Sequence, residues 1–200
     1  MAGITPEKKR IITLSSGASR GSNLLAIQRY FQLNDIPVEI YRAVFCSSKA
    51  EAIGKCLEMN IPYYVLAGKD IAQFEARLLA LIAEEEISLV ALCGYMRQIS
   101  PAFLAKVNIP VLNIHPALLP KYGGKGMYGM AVHQAVFAAG EQFSGATVHT
   151  VDAIYDHGNI VSQCKVDISA CSSAEEIALK VLELEHQIYA PAIYEKIKES

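Results

Sequence analysis

The chain has 200 residues, 52% of them hydrophobic and 19% charged, and 18 Lys and Arg against 20 Asp and Glu leave a formal charge of −2. That is the length of one domain, apolar enough to bury a sizeable core and too apolar for a disordered chain. The charge balance argues against a nucleic-acid surface.

No apolar run approaches the roughly 20 residues of a membrane span. The opening MAGITPEKKRIITLSSG has no long apolar segment and no small-residue cleavage site, so no signal peptide is expected. The 5 cysteines, an odd number with no CxxC, predict reduced thiols in a cytoplasmic protein rather than a disulfide framework or a zinc site.

In chain order, Ile11–Leu14 is a short apolar run, followed by the turn-rich SSGASRGSN and a predicted helix over Asn23–Phe31, with Leu24, Ile27 and Phe31 at helical spacing. Pro37–Phe45 reads as a strand, Lys49–Glu58 as a short helix and Ile61–Leu66 as another strand. Ile71–Glu85 is an amphipathic helix through Phe74, Leu78, Leu79 and Ile82. Ile87–Cys93 and Pro110–Ile114 are continuous apolar runs, the mark of strands buried on both faces, with a helix start at Pro101 between them. This β-α-β-α rhythm predicts an α/β domain with a central, mainly parallel sheet covered by helices. After His115 the rhythm changes: a loop to Gly129, a helix over Met130–Ala139, then two strands (Gly145–Val151 and Asn159–Val166) forming an antiparallel hairpin. A long C-terminal helix follows, introduced by Ser172-Ser173 with Glu175 and Glu176 in its first turn. No linker divides the chain, so residues 1–200 form one domain: a nucleotide-binding-like half over about 10–115, and the catalytic loop, hairpin and helix over about 116–200.

Ligands of an open parallel sheet bind beyond the carboxyl ends of its strands. Three segments arrive there with unusual content. Gly17-Ala18-Ser19-Arg20-Gly21-Ser22-Asn23 has glycines for close approach to an anion and a helix N-terminus to hold it, although plain helix capping explains the same residues equally well. Gly94-Tyr95-Met96-Arg97-Gln98-Ile99-Ser100-Pro101 combines an Arg for an acidic ligand with a helix entry, Ser100 as N-cap and Pro101 at the first position. Asn113-Ile114-His115-Pro116 puts Asn113 and His115 on one face of a strand end, both able to donate hydrogen bonds to a developing oxyanion. Asp156, in the turn YDHGN, reads by itself as a turn former.

In this order the motifs resemble the folate-dependent formyltransferase family. The resemblance rests on GSNL after the first strand, GYMRQISP, NIHPALLPKY, the hairpin GATVHTVDAIYDHGNIVSQ and the late LEHQIYAP, and covers about residues 10–195. It implies a Rossmann-like formyltransferase fold and transfer of the formyl group of 10-formyltetrahydrofolate, as co-substrate, to the amine of glycinamide ribonucleotide in purine synthesis, with no metal. It also implies catalytic roles for Asn113, His115 and Asp156, with Asp156 raising the His115 imidazole and keeping it cationic. It places the substrate phosphate at Gly21, Ser22 and Asn23, the folate at Met96, Arg97, Gln98, Ile99 and Asn113, and the glycinamide part at Glu185. His133, His149 and His186 are expected to be structural, and His157 exposed.

The phosphate loop is two residues longer than the family's usual one, which makes Arg20 a candidate for an added phosphate charge. The loop 123–129 departs from the family's Pro-Gly and is expected to move over the substrate. A family Arg that meets the folate has no clear match near residues 69–73. Competing readings are a formyltetrahydrofolate hydrolase, a methionyl-tRNA formyltransferase and a non-catalytic nucleotide- or folate-binding module. The expected partners are small molecules, with no nucleic acid and no membrane, and the chain is read as a monomer or homodimer.

Overall fold

The structure is a computed structural model that describes residues 8–16, 20–67 and 70–199. Seven strands form one sheet in the order β3-β2-β1-β4-β5-β6-β7. They are β1 (Lys9–Ser15), β2 (Val38–Phe45), β3 (Tyr63–Val65), β4 (Ile87–Leu92), β5 (Val111–His115), β6 (Phe143–Thr150) and β7 (Ile160–Asp167). The first five in sequence are parallel, whereas β6 runs antiparallel to β5 and β7 antiparallel to β6. The helices are α1 (Ser22–Leu33), α2 (Ala52–Glu58), α3 (Ile71–Glu84), α4 (Pro101–Leu104), α5 (Met130–Ala138) and α6 (Ala174–Lys198).

The unbroken apolar runs are explained by burial on both sheet faces. Neighbouring residues of β1 feed different cores. Ile11 packs with Leu24, Ile27, Phe31 of α1 and Tyr189 and Ile193 of α6. Ile12 packs instead with Phe74, Leu78 and Ile82 of α3 and with Phe103 of α4. The Tyr189 hydroxyl lies 3.0 Å from the carbonyl oxygens of both Leu92 and Leu112, so α6 is tied to the last residue of β4 and to the residue of β5 that precedes Asn113.

Two elements are three residues shorter than the sequence expectation. The short helix begins at Ala52 rather than Lys49, because Ser47 Oγ accepts the Lys49 N–H at 3.1 Å and holds residues 47–49 in a turn. The edge strand shrinks to Tyr63–Val65, since Pro62 has no N–H to give to a ladder. The long helix starts as its sequence predicts: Ser173 Oγ accepts the Glu176 N–H, and Glu176 returns a carboxylate oxygen to the Ser172 N–H at 2.7 Å.

Candidate active site

The chain runs outward from β1 through β2 to β3 and then returns to β4, so the strand order reverses between β1 and β4. A cavity of about 530 Å³ opens at the carboxyl ends of the strands there. Alternation along β5 sends Leu112 and Ile114 into the α1–α6 core and leaves Asn113 and His115 on the other face, at the cavity wall.

These two side chains belong to a buried polar array. Asn113 Nδ2 donates to His149 Nε2 at 3.1 Å, and His149 Nδ1 donates to the Thr150 carbonyl at 2.9 Å. His115 Nε2 donates to the Tyr122 carbonyl at 2.8 Å. The carbonyl partners therefore fix both tautomers. Asp156 sits between the two imidazoles. Its Oδ2 is 3.5 Å from His115 Nδ1, its Oδ1 is 3.6 Å from His149 Nε2, and Oδ2 also accepts the Gly124 N–H at 2.9 Å. Tyr122 and Asp156 both adopt left-handed backbone (φ 57° and 55°), a strained conformation held where the chemistry is expected. Gly158, after the Asp156 turn, has no alternative: a Cβ there would land on the Thr150 carbonyl oxygen.

Burial decides the electrostatics of the array. It lowers the His115 pKa, and the Asp156 charge and the Tyr122 carbonyl, which act to raise it, do not make up the difference. This corrects the expectation of a cationic His115: Asp156 pushes in the predicted direction but is outweighed, and the resting imidazole is neutral. Burial also acts to raise the Asp156 carboxyl. Here the opposing groups win: a proton taken up by either neighbouring imidazole, His149 or His115, and the Gly124 N–H hold it below the ordinary carboxylate value.

At the other end of the cavity, Asn23 Nδ2 donates to Glu185 Oε2 at 2.7 Å. Burial pushes the Glu185 carboxyl up to about 7, against the lowering effect of that hydrogen bond, so it is half protonated near neutrality. The segment after β4 forms the wall between the two ends, with Met96, Arg97, Gln98 and Ile99 all lining it. Its Met96 N–H donates to Ser16 Oγ at 2.6 Å.

One cavity thus collects Asn23, Met96–Ile99, Asn113, His115, Asp156 and Glu185. Arg20, which is exposed, and Gly21 and Ser22 precede Asn23 and are not part of its wall. Gly21 caps α1 with φ 76°, and the cap makes no side-chain hydrogen bond, so the Ser/Asn capping read from the sequence gives way to a glycine cap. Residues 17–19 of the phosphate loop, and residue 69 of the 69–73 stretch where the family's folate Arg was sought, lie outside the described residues.

Two histidines expected to be structural stand in the cavity wall. His149 is directly opposite Asn113 in the β5–β6 ladder, and His133 on α5 is buried beside His115. Burial, and then the neighbouring His115, lower the His133 pKa to about 4. Only the pairing of β5 with β6 reveals the role of His149: it and Asn113 are 36 residues apart in the chain. His157 is exposed, as expected, and pairs with Asp152 at 2.9 Å. Among the described residues no group of three or more His, Cys, Asp or Glu is placed to hold a metal ion.

The family model described as Formyl transferase matches residues 9–193. The chain is 35% identical over 197 residues to a chloroplastic phosphoribosylglycinamide formyltransferase of Vigna unguiculata, covering 96% of this chain and 62% of that protein. It is 36% identical over 186 residues to the phosphoribosylglycinamide formyltransferase of Haemophilus influenzae, covering 90% of this chain and 84% of the relative. The crystal structure of the Brucella melitensis phosphoribosylglycinamide formyltransferase superposes with a TM-score of 0.84 at 30% identity, covering 95% of this chain and 96% of that one.

Proposed function

The chain belongs to the formyl transferase family, and from that premise we propose that it transfers the formyl group of 10-formyltetrahydrofolate to the amine of glycinamide ribonucleotide. The observation that carries the reading is the single cavity: the Asn113–His149–Asp156–His115 array at one end, the Asn23–Glu185 pair at the other, and Met96–Ile99 between them.

The substrate amine attacks the formyl carbon, and the carbonyl oxygen becomes an oxyanion. Asn113 spends one amide N–H on His149, and its second N–H is the donor for that charge. His115 keeps Nε2–H on Tyr122, so it gains a proton at Nδ1, beside Asp156. The proton lost by the amine passes to this pair, where the low-pKa carboxylate stabilises the new imidazolium. It returns to N10 of the folate as the C–N10 bond breaks. No protein nucleophile takes part. Met96–Ile99 and Asn113 hold the folate. The Glu185 carboxyl and Asn23 receive the glycinamide part, and the free N–H groups at the start of α1, with Gly21, Ser22, Asn23 and the exposed Arg20, receive the phosphate.

A steady-state assay with 10-formyl-5,8-dideazafolate tests this against three acceptors: glycinamide ribonucleotide, water and initiator methionyl-tRNA. Turnover with the ribonucleotide alone is the expected result. Formate release without an acceptor would overturn it in favour of a hydrolase.

A further inference from the structure

No side chain of α3 lines the cavity, yet α3 grips the wall that does. Glu75, on α3 and only 5% exposed, turns its carboxylate onto the end of the 94–100 segment. Its Oε1 accepts the Ser100 N–H at 2.8 Å, and its Oε2 accepts the Ser100 hydroxyl. Ser100 Oγ in turn accepts the Phe103 N–H at 3.0 Å and so caps α4. Beside Glu75, the Phe74 ring stacks on Tyr95, with centroids 6.1 Å apart and planes at 21°. The other end of the segment is fixed by Ser16, through Met96 N–H to Ser16 Oγ and Ser16 N–H to the Gly94 carbonyl at 3.2 Å. Met96–Ile99 therefore span two anchors, and one of them is a buried carboxylate.

A buried carboxylate is costly to desolvate, and α4 does not need one: Ser100 caps the helix by itself and Pro101 starts it. Its effect is to aim the loop. We propose that Glu75 is a positioning residue for the formyl-folate, fixing Ser100 and with it the placement of Met96–Ile99 in the cavity wall. This rests on the reading of that wall as the folate side. The sequence did not single out Glu75, because its partner is 25 residues away on another element.

Glu75→Gln tests the clamp. Glutamine keeps the size and one oxygen for the Ser100 N–H, but its NH₂ cannot accept the hydroxyl proton. The readouts are the Kd of the full chain for 10-formyl-5,8-dideazafolate and the KM of each substrate. Folate Kd and KM are expected to rise about tenfold, while kcat and the ribonucleotide KM stay within about twofold. Ser100→Ala, which keeps the backbone N–H and removes the hydroxyl, should give the same split, and the double variant should be no worse than the weaker single one. Unchanged folate affinity in folded Glu75→Gln or Ser100→Ala overturns the proposal, and so does a loss spread equally over both substrates and kcat. If Glu75→Gln does not fold, Ser100→Ala decides by the same criteria. Because the readout is folate affinity, it decides the proposal even if the acceptor proves different. A parent chain with no affinity for the analogue overturns the folate reading and the proposal together.

Discussion

In the proposed mechanism Asn113 acts through one amide N–H and His115 through the Nδ1 lone pair that takes up the amine proton, so each can be removed without dismantling the sheet. Asn113→Ala and His115→Ala are expected to fold, with unchanged circular dichroism, and to lose about 10²–10³ in kcat, the usual cost of one oxyanion donor for the first and of one general base for the second. Full turnover in either purified variant would refute the assignment. His149 acts one step further out. Its Nε2 accepts from Asn113 in the resting array, and a proton on that ring, beside Asp156, helps hold the carboxyl low. In His149→Ala the Asp156 pKa should rise, so the acid limb of kcat/KM moves to higher pH and the rate falls about tenfold at its optimum. A pH–rate profile that keeps its acid limb would show that His149 only packs. Motif order singled out Asn113, His115 and Asp156, which the structure brings to one cavity, but not the protonation state of His115. Burial set that state, against the Asp156 charge first and the Tyr122 carbonyl second.

At the scale of elements, the join between β1 and α1 has little room. Gly21 has φ 76°, and a Cβ built on it would lie 2.6 Å from the Ala52 Cβ of α2. Gly21→Ala should therefore cost about 1–3 kcal/mol through backbone strain and overpacking, read as a lower urea midpoint, and raise the ribonucleotide KM. An unshifted midpoint would mean that α2 moves aside. Strands, helices and the long C-terminal helix were legible because their apolar periods differ: continuous runs for doubly covered strands, and 3.6-residue spacing for α1 and α3. Boundaries set by a local side chain, such as Ser47 ahead of α2, were not, since the competing turn bond leaves no mark on hydrophobic periodicity.

Across the whole molecule, burial of titratable groups in one cavity couples stability to pH in two opposed ways. His133 and His115 have lowered pKa values, so the fold prefers them neutral. Their contribution is complete above about pH 6.5 and is lost as pH falls, because the unfolded chain takes up the proton first. Glu185 is the reverse: with its carboxyl raised to about 7, its contribution is complete below the ordinary carboxylate value and is lost as pH rises toward 7. His133→Gln isolates the first effect. Between pH 7.5 and 5.5 the parent should lose about 1 kcal/mol more than the variant in urea unfolding, after solvent screening. Parallel losses would place the His133 proton elsewhere.

The sequence by itself determined the α/β architecture, the family and the order in which the chemical motifs meet the sheet. Those depend on periodicity and on contiguous residues, both of which are written along the chain. Tertiary structure alone decided that His149 faces Asn113, that Glu75 reaches Ser100 and that His115 rests neutral. Each of these depends on pairing between distant elements and on how much water that pairing excludes.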